Sequence, residues 1–193
     1  MERLPLKFRI LPVSALVGSS LLLFACGSST TGINSAEIQS FNIAAQGVSS
    51  AVAAYGTQAA SMTSAATCAS AQTSYDSQAR PLTGQMQGMG ADMDAMMGSM
   101  KHMDAEDMGC SANAMMAELN RHQAVACTSS TDMTPNKAEA QQHVATMTQW
   151  ASHEMGRSHD LASMAGMGMG SMGNGTTSGH CIHNVDGTYT FQP

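Results

Sequence analysis

Leucine, aromatic residues and charged residues are all scarce in this sequence. Aromatic residues make up 4% of the 193 residues and charged residues 11%. Beyond residue 26 only Leu82, Leu119 and Leu161 remain, so a core must be built largely from alanine and methionine. Because strands need β-branched and aromatic residues, this composition argues against a β-sandwich or an α/β sheet and favours helices.

The chain also lacks the short motifs that mark the commoner enzyme classes. It contains no Gly-x-Ser-x-Gly elbow, no His-Glu-x-x-His zinc motif and no glycine-rich phosphate loop. We therefore expect a protein that does not turn over a substrate. Beyond residue 25, 5 Lys and Arg stand against 13 Asp and Glu. This acidic balance argues against nucleic acid as a partner.

The N-terminal segment has the organisation of an export signal. Arg3, Lys7 and Arg9 precede an apolar run of ~15 residues, which is short for a membrane span. The run ends in Leu23-Phe24-Ala25-Cys26, which resembles the lipobox of bacterial lipoproteins. The resemblance implies that residues 1–25 are removed and that Cys26 is acylated and anchors the protein to the membrane. An ordinary secretory signal is the alternative.

The residues after the lipobox indicate where the anchored protein resides. Gly27 stands where some bacterial lipoproteins carry the aspartate that retains them in the inner membrane. The resemblance therefore implies a periplasm-facing protein of the outer membrane, with residues 26–33 as a flexible tether.

Hydrophobic periodicity predicts four helices between residues 34 and 165. The first, from about 35 to the mid-60s, follows a sequence that resembles a capping box at Asn34 and Glu37. It has a heptad seam at 38, 41, 45, 48, 52, 55, 59 and 62. The second should follow Cys68 or Pro81 and carry a methionine stripe that is interrupted at 104–109.

The third and fourth helices are predicted at about 111–126 and from Thr134-Pro135 onward. The fourth has a stripe at Ala140, His143, Met147, Trp150, Glu154, Arg157, Leu161 and Met164. Since the turns are short, we expect an all-α, up-down-up-down four-helix bundle. Residues 166–193 are predicted to be a Gly/Met-rich linker and an appendage with a hairpin turn at 184–188.

Four cysteines besides Cys26 favour two disulfides in an exported protein. A helix of about 16 residues separates Cys110 from Cys127 by ~24 Å, so these two should not pair. In an up-down bundle Cys68 and Cys127 lie at one end, and Cys110 and Cys181 at the other. We therefore predict the disulfides Cys68–Cys127 and Cys110–Cys181.

Methionine is the strongest chemical signal, with 19 copies. Residues 85–104 resemble the Met-, Gly-, Asp- and His-rich segments of periplasmic copper-resistance proteins, which implies soft-metal binding. Thioethers favour Cu(I), and they persist where thiols are oxidised. The candidate ligands in this stretch are Met86, Met89, Met93, Met96, Met97, Met100, His102 and Met103. Met167, Met169 and Met172 in the glycine-rich tail are further candidates.

Two i,i+4 pairs flank the turn between the third and fourth helices. In an antiparallel hairpin centred near residue 130, Glu118 faces His143 and His122 faces Glu139, with Met147 one turn away. Such a cluster can bind Zn(II) or Cu(II), so His122, His143 and Met147 join the candidate ligands. Interhelical hydrogen bonds or ion pairs between the same residues are the alternative.

The sequence therefore predicts a lipid-anchored periplasmic protein that binds or buffers copper(I), or silver as its mimic. The alternative function is a structural or interaction lipoprotein of the cell envelope, in which the methionine stripe only fills the core, since methionine is an adaptable core residue.

Overall fold

The computed structural model describes residues 35–97, 103–164 and 179–192, with side chains described in 35–93, 106–162 and 179–192. The predicted signal, lipobox and tether lie outside these ranges. Four helices and a hairpin follow one another: α1 (Ser35–Ala60), α2 (Ala65–Met97), α3 (Met103–Val125), α4 (Met133–Met164), β1 (His180–His183) and β2 (Tyr189–Gln192).

The helices form the predicted all-α, up-down-up-down bundle. Helix α1 packs on α2 and α4, and α3 packs on the same two helices, so each helix has two neighbours. All eight positions of the predicted heptad seam near the N-terminus are buried, from Ile38 to Met62. Because alanine and glycine recur along these faces, the helices approach closely around a core of small residues and methionines.

Helix α1 ends earlier than predicted because α2 has its own start signal. Ser64 Oγ accepts the N–H of Thr67 at 3.2 Å, and Thr67 Oγ1 accepts the N–H of Ser64 at 3.0 Å. This reciprocal cap resembles a capping box in which threonine replaces Glu or Gln. It places the start of α2 before Cys68, so the prediction of a start after Cys68 or Pro81 was wrong.

Helix α2 continues through Pro81. A proline inside a helix removes one backbone hydrogen bond. The exposed position of Pro81 lets water solvate the affected turn, while Tyr75, Ala79 and Met86 on either side are buried. Packing of this continuous stripe therefore outweighs the local cost of the proline.

Helix α3 begins at Met103, so the predicted interruption at 104–109 was wrong. The acidic residues there include Asp107, which is buried in the bundle. At this level α2 and α3 come very close: a Cβ built on Gly90 would lie 3.0 Å from the Cα of Gly109. Glycine at residue 109 thus serves helix packing here and does not end a helix.

Helix α4 begins one residue before the predicted cap. Asp132 Oδ1 accepts the N–H of Thr134 at 2.8 Å, so Asp132 and not Thr134 caps the helix. The stripe of α4 is confirmed: Ala140, His143, Met147, Trp150, Glu154 and Leu161 are buried, and Arg157 is half-buried. The side chain of Met164 lies outside the described ranges.

The C-terminal hairpin and both predicted disulfides are confirmed. Strands β1 and β2 are antiparallel, with His183 opposite Tyr189. Gly187, at φ 81°, occupies the left-handed position of the turn. Cys68 pairs with Cys127, and Cys110 pairs with Cys181, which fixes the hairpin to α3.

Three helix ends next to methionines lie at one end of the bundle, which we name the methionine end. Helix α2 ends there at Met97, α3 begins there at Met103, and α4 ends there at Met164. Gly179, the first described residue of the hairpin segment, accepts a hydrogen bond from Arg157 near the same end. None of the helices within the described ranges is long and apolar enough to cross a membrane.

Candidate functional site

Two histidines form the centre of a buried polar layer in the half of the bundle that contains the Cys68–Cys127 disulfide. His122 on α3 contacts Glu139 Oε1 through Nδ1 at 3.0 Å and the hydroxyl of Tyr55 through Nε2 at 2.8 Å. His143 on α4 makes the equivalent contacts to Glu118 Oε1 at 2.7 Å and to the hydroxyl of Tyr75 at 2.9 Å. We name Tyr55, Tyr75, His122 and His143, together with Glu118 and Glu139, the tyrosine–histidine layer.

The four rings of this layer stack in two pairs. The imidazole centroids of His122 and His143 are 3.9 Å apart with an interplanar angle of 10°. The phenol centroids of Tyr55 and Tyr75 are 4.7 Å apart, with an angle of 25°. Each of the four helices therefore supplies one ring, and the layer ties the helices together.

The hydrogen bonds of the layer are satisfied when both imidazoles are neutral. A carboxylate can only accept, so each Nδ1 carries the proton that it donates to Glu118 or Glu139. Each Nε2 then holds a lone pair that accepts the hydroxyl proton of its tyrosine. Burial lowers the pKa of His122, and the nearby His143 lowers it further. The shift is in the direction that this neutral arrangement requires.

The carboxylates and phenols of the layer hold opposite protonation states. Burial raises the pKa of Glu118, but hydrogen bonds from Arg121 and His143 outweigh burial and bring the pKa to about 2. Burial also raises the pKa of Glu139, but hydrogen bonds from Arg121 and His122 outweigh burial and lower this pKa below its usual value. Burial raises the pKa of Tyr55 to about 12 and raises that of Tyr75 as well. At neutral pH the layer thus contains ionised carboxylates and protonated phenols.

The facing pairs predicted from the sequence are confirmed, but their partners were missed. Arg121 bridges both carboxylates, with contacts of 2.6 Å to Glu118 and 2.8 Å to Glu139. Tyr55 was predicted only as a residue of the heptad seam, and no role was predicted for Tyr75, because hydroxyl contacts 67 and 68 residues apart leave no local signal. With both ring nitrogens occupied, these histidines are hydrogen-bonded core residues, and a metal role for them stays a prediction.

A second buried polar cluster joins the hairpin to the bundle near the methionine end. Asp107 on α3 accepts hydrogen bonds from His153 Nε2 at 2.6 Å, from Arg157 Nε at 2.8 Å and from the N–H of Cys181. Burial raises the pKa of Asp107, but these hydrogen bonds outweigh burial and hold the pKa below its usual value. We name Asp107, His153, Arg157 and the Cys181 N–H the hairpin clasp.

Beside the hairpin clasp lie buried polar atoms that have no hydrogen-bond partner among the described residues. These atoms are both carboxyl oxygens of Glu154 and Nδ1 of His153, all inaccessible to solvent. Burial and the charge of Asp107 raise the pKa of Glu154 well above its usual value. Glu154 was predicted only as a stripe residue, since nothing in the local sequence distinguishes it from a paired glutamate.

The candidate methionine ligands fall into two groups. Met86, Met93 and Met147 are fully buried in the core, and Met89 is half-buried against it. The side chains of the remaining candidates lie outside the described ranges: Met96, Met97, Met100, His102, Met103, Met167, Met169 and Met172. Among the side chains that are described, no group of three or more His, Cys, Asp or Glu residues can hold a metal ion.

No protein-family model, no curated protein and no solved structure matches this chain.

Proposed function

We propose that this protein is a lipid-anchored, periplasm-facing binder or buffer of copper(I), with silver(I) as a mimic, and that it does not turn over a substrate. The observation that carries the proposal is the position of three helix ends, those at Met97, Met103 and Met164, at the methionine end. The helix ends that flank residues 98–102 and 165–178 belong to one end of the bundle. Because thioethers are soft ligands, the methionines that the sequence places in and beside these two segments are suited to bind Cu(I).

Burial divides the candidate ligands by role. Met86, Met93 and Met147 are fully buried, so they serve as core residues and an ion reaches them only if the helices separate. Half-buried Met89 belongs to the binding group. The rest of that group flanks or occupies the two segments at the methionine end: Met96, Met97, Met100, His102, Met103, Met167, Met169 and Met172.

The test compares two sets of Met→Leu substitutions, since leucine matches methionine in volume and lacks sulfur. One variant replaces Met89, Met96, Met97 and Met100, and an extended variant also replaces Met167, Met169 and Met172. Both should bind fewer Ag(I) or Cu(I) equivalents than the parent after anaerobic loading and desalting. The readout is metal content per protein.

The matched control replaces the buried Met86, Met93 and Met147 by leucine. Such swaps usually cost less than about 1.5 kcal/mol each, so the control should stay folded and bind as much metal as the parent. Equal metal content in all variants, or none in the parent, would refute the copper proposal.

The anchor is tested separately, through Cys26. A Cys26→Ala variant should leave the membrane fraction, because the thiol that would carry the lipid is gone. Mass spectrometry of the parent should find residue 26 at the N-terminus with added acyl mass. A Cys26→Ala protein that is still cleaved after residue 25 and still bound to membranes would contradict lipid anchoring.

A structural or interaction lipoprotein is the second candidate. The observation in its favour is that six described methionines are fully buried core residues: Met62, Met86, Met93, Met108, Met115 and Met147. This alternative predicts that metal content is negligible in the parent and in every Met→Leu variant, and that the substitutions change only stability.

A further inference from the structure

The two core tyrosines each have their own proton acceptor. Tyr55 and Tyr75 are 1% and 3% exposed, so a proton that leaves either phenol cannot pass directly to water. His122 Nε2 lies 2.8 Å from the hydroxyl oxygen of Tyr55, and His143 Nε2 lies 2.9 Å from that of Tyr75. These are hydrogen-bond distances, across which a proton can move with little rearrangement of the heavy atoms. Each of these nitrogens holds a lone pair that can accept the proton.

We propose that Tyr55 and Tyr75 are proton-coupled electron donors, which reduce an outer-sphere one-electron oxidant while the phenolic proton moves to the partner histidine. In the step, tyrosine loses one electron to the oxidant and breaks its O–H bond. The proton forms a new N–H bond at Nε2. The products are a neutral phenoxyl radical, an imidazolium and the oxidant reduced by one electron.

The carboxylates favour this step because they face the charge that develops. The imidazolium formed at His122 keeps its Nδ1–H bond to Glu139, and that formed at His143 keeps its bond to Glu118. Both carboxylates are ionised at neutral pH, so each offsets the positive charge at hydrogen-bond distance. Glu118 and Glu139 are thus positioning residues, and the layer retains the proton.

The stacked phenols favour the step by sharing the product. Their centroid separation of 4.7 Å brings the two π-systems into contact. An electron vacancy on one phenol ring can therefore move to the other. The second tyrosine then passes its own phenolic proton to its own histidine. The oxidant stays outside the core, because only the electron has to cross the protein.

The chain supplies a matched control in its third tyrosine. Tyr189 on β2 stacks on His183 with a centroid distance of 4.6 Å, so it also lies beside an imidazole. Its hydroxyl makes no hydrogen bond to that ring, and the residue is partly exposed. Tyr189 tests whether ring proximity alone is sufficient or a hydrogen-bonded acceptor is required.

The experiment oxidises the metal-free protein with hexachloroiridate(IV) and detects the radical by rapid-freeze EPR. Ring-deuterated tyrosine narrows a phenoxyl signal and separates it from a radical on Trp150. The parent and the Tyr189→Phe variant should form the phenoxyl radical in equal yield, and the Tyr55→Phe/Tyr75→Phe variant should form none. Absence of the phenoxyl in the parent, or its persistence in the double variant, would overturn the proposal.

The role of the histidines is tested through the rate. Between neutral and mildly alkaline pH, oxidation of the parent should be independent of pH because the proton acceptor is internal. In the His122→Gln/His143→Gln variant the amide oxygen still accepts a hydrogen bond but is not a base. Its oxidation should be about a hundredfold slower, the low end of what a positioned proton acceptor contributes, and should accelerate with hydroxide.

Circular dichroism detects whether the His122→Gln/His143→Gln variant folds. If it does not fold, the pH dependence of the parent rate alone decides. A parent rate that rises with hydroxide concentration would show that the proton leaves to solvent and would overturn the internal transfer. An unchanged rate in a folded His→Gln variant would overturn it equally. Because the assay uses metal-free protein, its result is independent of copper binding.

Discussion

The tyrosine–histidine layer and the hairpin clasp bury similar polar groups with different outcomes. In the layer, each imidazole uses both ring nitrogens, and each carboxylate has a histidine and Arg121 as partners. Beside the clasp, the carboxyl oxygens of Glu154 and Nδ1 of His153 are buried and have no hydrogen-bond partner in the described part of the chain. A satisfied polar network stabilises and specifies a core, whereas an unpaired buried carboxyl costs free energy. The layer thus holds the helices in place, while Glu154 destabilises the bundle.

Removal of one imidazole from the tyrosine–histidine layer should change the free energy of unfolding most. We expect His143→Ala to lower the free energy of unfolding by about 4 kcal/mol, because it opens a cavity and leaves Glu118 and Tyr75 without a buried partner. The matched control is His159→Ala, a partly exposed histidine on the same helix, with an expected change within about 0.5 kcal/mol. Urea denaturation measures both, and similar losses would show that the layer is not a major source of stability.

Acidification should produce the second largest loss in the free energy of unfolding. The pKa of Glu118 falls from 4.5 to about 2 on folding, which contributes about 3 kcal/mol above pH 4.5 that is lost as the pH falls toward 2. The lowered pKa of His122 acts with the same sign, because below pH 6.5 the unfolded chain binds the proton more readily.

Denaturation at a series of pH values measures this slope. The Glu118→Gln variant should be less stable at neutral pH and should lose less stability in acid than the parent. Glu106→Gln, at an exposed position on the same helix, should follow the parent curve. Identical slopes for Glu118→Gln and the parent would exclude Glu118 as the source of the acid sensitivity.

Removal of the buried carboxyl group of Glu154 should change the free energy of unfolding by a smaller amount and should raise it. Replacing Glu154 by methionine, a flexible apolar residue of similar length, should raise the free energy of unfolding at pH 7 by about 2 kcal/mol. Because the pKa of Glu154 is raised, the folded state retains a proton that the unfolded state loses above pH 4.5, so its contribution falls as the pH rises.

The Glu154→Met variant should therefore gain more at neutral than at acidic pH. Glu106→Met, at the exposed position on α3, should change stability by no more than about 0.5 kcal/mol. A loss of stability in Glu154→Met at every pH would mean that the carboxyl has a stabilising partner in solution.

The smallest effect should come from removal of one hydroxyl. Tyr75→Phe keeps the stacked ring but leaves Nε2 of His143 without its partner, which should cost about 1 kcal/mol. Tyr189→Phe removes a hydroxyl that makes no hydrogen bond to a described residue, so this substitution should leave the stability unchanged. Thermal unfolding of the two variants side by side measures the difference, and equal melting temperatures would show that the Tyr75 contact contributes little.

Much of the bundle could be predicted because its signals are local and periodic. The heptad seam of α1 and the stripe of α4 follow from spacing alone, and every described seam position is buried. The pairs Glu118 with His143 and His122 with Glu139 could also be predicted, since a short turn fixes the register of an antiparallel helix pair.

The helix boundaries were harder to predict because packing competes with local breakers. Pro81 and the segment 104–109 both favour helix ends by composition. In the structure, the buried stripe of α2 continues past Pro81, from Cys68 to Met93, and that of α3 begins within the second segment, at Asp107, and continues to His122. The Ser64 and Thr67 cap was missed because it uses threonine where the common motif has Glu or Gln.

The sequence by itself determined that the protein folds as a helical bundle, which cysteines pair and where the final hairpin turns, because periodicity, helix length and turn residues act locally. Only the tertiary structure decided that the hydroxyls of Tyr55 and Tyr75 meet the two histidines, that Asp107 holds the hairpin, and that no described residue hydrogen-bonds to the carboxyl group of Glu154. The contacts of the tyrosines and of Asp107 join residues 46 to 74 positions apart along the chain. They depend on how helices pack side by side, which no short stretch of sequence specifies.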